Sequence, residues 1–359
     1  MLEGVQMKKL IVLCVLLTLV GCSKSDPVDK YGSDVLNVFN WGEYIGEDVI
    51  ANFEEEYGVK VNYSLFDSNE IMYTKLLSGN TYDVIVPSDY MIERLMDEDL
   101  IQPLDYTYMT NLDYLNPEVL VLRDEYDPDG VYSMPYFWGS VGLVYNKNNV
   151  DVNKLDKLGW NILKDIEYSN KIFMYDSERD SFMVALKALG YSMNTEDMDE
   201  INKAYEWLCE LHDTMSPSYV TDEVTDAMIN NEKDIAVVYS GDAAFIISQN
   251  DGMAYYVPKE GTNVWSDGFV IPSNAKNPKL ANEFINYMMS YDSAMDSSIE
   301  VGYTSANKKV VEELSSDGEV YSNNDAYIFD VSNPKNEVFK HNDTLKKVLS
   351  DMWVRIKVR

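Results

Sequence analysis

The chain has 359 residues, 46% of them apolar, which is enough hydrophobic material for two domain-sized cores and excludes a disordered polymer. Asp and Glu number 61 against 29 Lys and Arg, a net charge of −32, so the field around the chain repels nucleic acid and anionic lipid headgroups and attracts cations. Three cysteines and two histidines leave little material for a disulfide framework or a metal centre.

Lys8 and Lys9 precede the uninterrupted apolar run Leu10–Val20. That run is too short to span a bilayer, which needs roughly 20 residues, but it suits a secretory h-region. It closes on Leu19-Val20-Gly21-Cys22, which resembles the lipobox of bacterial lipoproteins. The resemblance implies that Cys22 becomes the lipid-carrying first residue of the mature chain; an ordinary signal peptide cut near Gly21 is the alternative. Residues 1–21 therefore read as a signal peptide. Residues 22–34, polar and holding Pro27 and Gly32, read as a lipidated tether. Loss of Glu3, Lys8 and Lys9 removes a net +1, so the mature 338 residues carry about −33. Cys14 leaves with the signal and Cys22 carries lipid, so Cys209 stands alone in the body and no intrachain disulfide is expected. The body is expected outside the cytoplasm, in the periplasm or at the cell surface, held to the membrane at one end.

Order is expected to begin with a strand at Val35–Asn40. A helix follows over Glu47–Tyr57, where Val49, Ile50, Phe53 and Tyr57 recur at helical spacing and Gly58 stops the run. Val59, Val61, Tyr63 and Leu65 alternate as a strand, Asn69–Leu77 reads as a helix, and Tyr82–Val86 is a strand ended by Pro87. In a second unit that starts near Leu143, strands are expected at Lys171–Tyr175 and Ile235–Tyr239, and a further strand follows at Gly268–Ile271. Helices are expected at Phe182–Leu189, Met198–Asp213, after Ser240-Gly241-Asp242, and at Pro278–Met289. Strands alternating with helices at this spacing predict an α/β chain with parallel sheets and helical crossovers. No internal repeat is visible. Two α/β units crossed more than once by the chain form the pattern of a hinged, two-lobed binding protein, divided as 35–140 plus 268–311 and 141–267 plus 312–359.

In an open parallel sheet the ligand meets the carboxyl ends of the strands. Those ends deliver Asn40-Trp41-Gly42-Glu43-Tyr44, Pro87-Ser88-Asp89-Tyr90, Asp176-Ser177-Glu178-Arg179-Asp180 and Tyr239-Ser240-Gly241-Asp242. Trp265-Ser266-Asp267 precedes the Gly268 strand, and Val301-Gly302-Tyr303-Thr304 follows a helix. Aromatics and carboxylates converge, with Arg179 the only cation in these segments. That set suits an elongated organic cation: each ring face attracts an alkylammonium by about 0.5–2 kcal/mol, and carboxylates give charge-assisted hydrogen bonds to its ends.

The motifs Asn40-Trp41-x-Glu43-Tyr44, Tyr82-Asp83-x-x-x-Pro87-Ser88-x-Tyr90, Trp265-x-Asp267 and Gly302-Tyr303 closely resemble the extracytoplasmic spermidine/putrescine-binding proteins of polyamine ABC importers, from about Val35 to the C-terminus. The resemblance implies the periplasmic-binding-protein fold: two α/β lobes joined by a hinge, with a polyamine in the cleft between them and no bound cofactor. It further implies delivery to permease subunits driven by a cytoplasmic ATPase. It carries an aromatic box over to Trp41, Tyr44, Tyr90, Tyr239, Trp265 and Tyr303, a hydroxyl to Ser88, and ammonium-holding carboxylates to Asp180 and Asp267. The chain departs from the family where Ser177 stands for an aspartate, Gly42 for a hydroxyl residue and Tyr239 for a tryptophan. Glu178 or Asp242 is the expected compensation for the missing carboxylate. A late amide residue of the family has no counterpart near Lys340-His341.

Other chemistries have less in the sequence. Tyr255-Tyr256 could suggest iron, but adjacent rings in a strand point to opposite faces. Cys209 and His212 share a helical face without a second pair of ligands. Asp180 and Asp267 could be imagined as a glycosidase pair, yet no nucleophile elbow or metal cluster supports catalysis, and the chain is not expected to be an enzyme. A binding protein for a sugar or peptide is the main alternative.

Overall fold

The computed structural model describes residues 26–328 and 330–359, so the signal segment and Cys22 lie outside the described residues. Within the stretch expected to be a tether, Pro27–Tyr31 forms a helical turn capped by Asp26, and Tyr31 is buried. Eleven strands follow: β1 Val35–Trp41, β2 Lys60–Phe66, β3 Val84–Ile85, β4 Ile101–Gln102, β5 Ser133–Asn146, β6 Ile172–Tyr175, β7 Ser218–Val220, β8 Ile235–Tyr239, β9 Met253–Tyr256, β10 Val264–Pro272 and β11 Thr304–Ser305. They join in the order β2-β1-β3-β10-β5-β8-β6-β7, with β4 on β10 and both β9 and β11 on β5.

The sheet is mixed rather than parallel throughout. β1 runs parallel to β2 and β3, and β6 parallel to β7 and β8, as the alternation of strands and helices requires. β5 and β10 lie antiparallel between these flanks. Both belong to the connection rather than to either flank. β5 is buried along all 14 residues. Its first part, Ser133–Ser140, pairs with β10, and Val141–Tyr145 pairs with β8. One unbroken strand therefore passes from one half of the sheet to the other. Its near-continuous apolarity hides the period-2 signal that marks a half-exposed strand.

Each half of the sheet carries helices on both faces. In the first half, one face packs Val38, Val84, Phe269 and Phe284 and the other Phe39, Ile85, Ile92 and Val270. In the second half, the corresponding faces hold Leu143, Ile172, Phe182 and Trp353, and Val144, Phe173, Ala236 and Ile246. The alternation of neighbours such as Val38/Phe39 and Leu143/Val144 between faces follows from the pleat. Tyr255 and Tyr256 divide in the same way. The Tyr255 hydroxyl meets the Ser140 hydroxyl at 3.1 Å on one face, while Tyr256 packs on the opposite cluster. A C-terminal helix, Asp343–Lys357, packs on the second half of the sheet by burying Leu349, Trp353 and Ile356.

Candidate binding cleft

The strand ends of both halves meet where the two halves of the sheet join, and a file of buried or half-buried rings runs across that junction. Tyr44 lies 5.9 Å from Tyr303, Tyr303 5.2 Å from Trp265, and Trp265 6.1 Å from Tyr239, centroid to centroid, at interplanar angles of 67°, 81° and 85°. Tyr175 continues the file 5.0 Å beyond Tyr239. Edge-to-face contacts place the positive edge of one ring on the negative face of the next and lock each orientation.

A carboxylate stands at each end of this file. The Tyr44 hydroxyl donates to Asp267 Oδ2 at 2.7 Å, and the Tyr239 hydroxyl donates to Asp180 Oδ2 at 2.8 Å. The other oxygen of each, Oδ1, is buried without a hydrogen-bond partner, as is Trp265 Nε1. A buried charged oxygen left unpaired is costly, so both carboxylates suit a further cationic donor. Burial pushes the Asp267 carboxyl up to about 6 against the opposing pull of Ser88 and Tyr44. It also raises Asp180, against Ser177 and Tyr239. The phenols of Tyr44, Tyr239 and Tyr303 are pushed well above their usual value by the same desolvation, so they remain neutral donors.

Local sequence explains the placement. Trp265 and Asp267 lie inside β10, not before it as expected, and their i, i+2 spacing puts both on one face. The register with β5 shifts between Ser266 and Gly268, where two steps of β10 oppose three of β5, so the extra residue lies on β5 opposite Asp267. Ser88 and Asp267 form an isolated bridge between the two strand ends. Ser177 caps the helix Glu178–Leu189 by accepting from Asp180 N at 3.3 Å, so its hydroxyl is engaged in starting a helix. Gly302 ends the helix Tyr291–Val301 at φ 80°, a conformation that glycine adopts without strain, and the chain reverses to present Tyr303. Tyr303 then lies so close to Gly241 that a Cβ there would come within 1.5 Å of its ring.

The structure thus joins Tyr44, Ser88, Asp180, Tyr239, Trp265, Asp267 and Tyr303 in one contiguous network. Trp41 and Tyr90 flank it outside the ring file. Trp41 donates Nε1–H to the Val86 carbonyl at 2.8 Å and packs on Phe66. Tyr90 accepts from Asn69 Nδ2 at 2.9 Å, and the Arg179 guanidinium stacks 3.5 Å from its ring centroid.

Of the two carboxylates expected to compensate for Ser177, the geometry separates one from the other. Glu178 accepts from the Ser350 hydroxyl at 2.9 Å, on the C-terminal helix. Asp242 is held at the ring file, where burial and then Asp222 push it up to about 7 while the Tyr303 hydroxyl opposes. Two further groups escaped sequence reading. Tyr175 is the last residue of β6, where a pattern cannot tell a packed ring from a lining one. Asp89, beside Ser88, accepts from Ser266 N at 3.3 Å and is pushed up to about 7 chiefly by burial. Among the described residues no group of His, Cys, Asp and Glu is arranged to hold a metal ion, and no helix is long and apolar enough to cross a membrane.

Comparisons with known proteins agree with this arrangement. Residues 48–326 match the family described as bacterial extracellular solute-binding protein. The spermidine/putrescine-binding periplasmic protein of Salmonella typhimurium is 34% identical over 80% of this chain and 83% of its own length. The putrescine-binding periplasmic protein PotF of Escherichia coli is 31% identical over 76% of this chain and 78% of its own. The crystal structure of the spermidine/putrescine ABC transporter substrate-binding protein PotD from Streptococcus pneumoniae superposes with a TM-score of 0.78 at 36% identity, covering 91% of this chain and 99% of that one. Fold, cleft and sequence together make this chain a member of the bacterial extracellular solute-binding protein family, with the periplasmic-binding-protein fold.

Proposed function

We propose that this protein is an extracytoplasmic receptor that captures a polyamine of the putrescine or spermidine class and delivers it to the permease of an ABC importer. The observation that carries the reading is the ring file between two buried carboxylates, each with an unpartnered oxygen. Rings cover the methylene spacers of a stretched cation, and Asp267 and Asp180 take its ammonium ends. Ser88 and Tyr90 line one wall, Trp41 flanks them, and Asp242 supplies a third carboxylate. The names of the relatives support the same ligand class. The receptor performs no reaction: its work is binding and closure of two lobes, 35–140 plus 268–311 against 141–267 plus 312–359. A lipid on Cys22 would hold it at the membrane beside permease subunits served by a cytoplasmic ATPase.

The reading is tested by tryptophan fluorescence of residues 23–359, titrated with putrescine, spermidine and maltose. Saturable change with either amine and none with maltose is expected, because Trp265 sits in the ring file. A response to maltose alone would transfer the protein to the sugar receptors.

A further inference from the structure

Glu70 stands at the mouth of the cleft, on the first-lobe helix Asn69–Leu77. Its carboxylate is shared by two cations from the second lobe. Lys346 of the C-terminal helix bonds Glu70 Oε1, and Arg179 Nη2 lies 4.0 Å from the same oxygen. The Tyr90 hydroxyl also reaches that oxygen at 3.4 Å, while the Arg179 guanidinium covers the Tyr90 ring. The two cations sit on segments that are bonded to each other. Asp176 accepts from Trp353 Nε1 at 3.0 Å and from Lys357 at 2.6 Å, which ties the C-terminal helix to the turn that carries Arg179 and Asp180. Two flanking contacts span the same gap: the His341 backbone N–H donates to Glu93 at 2.7 Å, and Arg94 pairs with Asp343 at 3.2 Å.

We propose that Glu70 is a positioning residue for ligand retention, the acceptor of an interlobe clasp made with Arg179 and Lys346. The acceptor lies on one lobe and both cations on the other, so the clasp exists only when the lobes meet. Its free energy therefore favours the closed form and slows ligand escape, without touching the encounter between ligand and open cleft. The proposal rests on the cation-receptor reading for its ligand, not for its geometry.

Stopped-flow fluorescence with putrescine and spermidine on Glu70→Gln, Lys346→Met and the double variant provides one arm of the test. Each single change should raise the dissociation rate roughly fivefold, the upper range for a partly exposed pair, and leave the association rate within about twofold. The double variant should be no faster than Glu70→Gln, because that change alone already removes the acceptor that both cations share. Glu70→Asp should recover part of the loss, and thermal midpoints should stay within a few degrees. Additive losses, or a loss confined to association, would overturn the clasp and make Glu70 a direct ligand contact. Small-angle scattering of the ligand-free proteins is the second arm. A larger radius of gyration is expected in both single variants than in the parent, and equal radii would overturn the proposal. If no amine bound the parent chain, the receptor reading would fall while scattering still decided the clasp.

Discussion

Asp267 shows how a single residue is set up for a cationic guest. It is buried, its carboxyl is raised to about 6, and one oxygen already belongs to Tyr44. An ammonium at Oδ1 would complete the hydrogen bonding and pull the carboxyl back toward its ionised form. Removal of this carboxylate by Asp267→Ala should weaken polyamine binding by about 2–5 kcal/mol, the range for truncating one partner of a buried charge pair. A calorimetric loss under tenfold would refute the role. The raised carboxyls also fix the sign of two pH effects. Asp267 near 6 and Asp242 near 7 must be ionised to hold a cation, so affinity should rise from pH 5 to pH 8; a flat or falling profile would contradict the assignment. Stability should run the other way. Because both folded values lie above the ordinary carboxyl value of 3.8, the ligand-free fold binds more protons than the unfolded chain between pH 4 and 7, and stability falls as pH rises through that window. Asp242→Asn should therefore raise the ligand-free melting temperature at pH 8 and change it little at pH 4.

At the scale of elements, helix termini and a bulge aim the side chains. The strand ends were legible in the sequence because Val35–Asn40 and Ile235–Tyr239 are apolar runs closed by polar turns. The helix stop at Gly58 was legible because glycine takes the left-handed conformation that ends a helix, whereas the helix begun at Ser177 was expected only from Phe182. What could not be read was the use of each cap. Whether Ser177 faces a ligand or a backbone N–H depends on how the helix Glu178–Leu189 meets β6, and the choice between Glu178 and Asp242 depends on a C-terminal helix about 100 or more residues away in the chain. Ser177→Asp keeps a competent cap while adding a carboxylate beside Asp180. It should leave the melting temperature within a few degrees and improve spermidine binding more than putrescine binding, as measured by calorimetry; equal effects on both amines would contradict a third-ammonium role. Gly241→Ala should push Tyr303 out of the ring file. At least a tenfold loss of amine affinity is expected, with an unchanged far-ultraviolet circular dichroism spectrum.

For the whole molecule, the division into two α/β lobes was visible in the alternation of periods, whereas the antiparallel centre was not. Pairing between β5 and β10 joins residues more than 120 positions apart, and no local pattern records such a partner. A central strand buried from end to end also loses the alternation that would have marked it. The charge balance acts at this scale as well. A net −32 draws cations toward a cleft lined by carboxylates and should show mainly in the association rate. Raising ionic strength tenfold should slow association of spermidine more than of putrescine, with a smaller effect on dissociation, because buried pairs are screened less than exposed ones. Association rates that stayed equal in stopped-flow traces at the two salt concentrations would show that the field plays no part.

The most direct test is isothermal titration of residues 23–359 at pH 8 with a series of diamines, spermidine and a neutral saccharide. Saturable one-to-one binding of at least one di- or triamine, lost in Asp267→Ala and absent for the saccharide, is the expected result. No heat from any amine at millimolar concentration, alongside tight binding of the saccharide, would contradict the account.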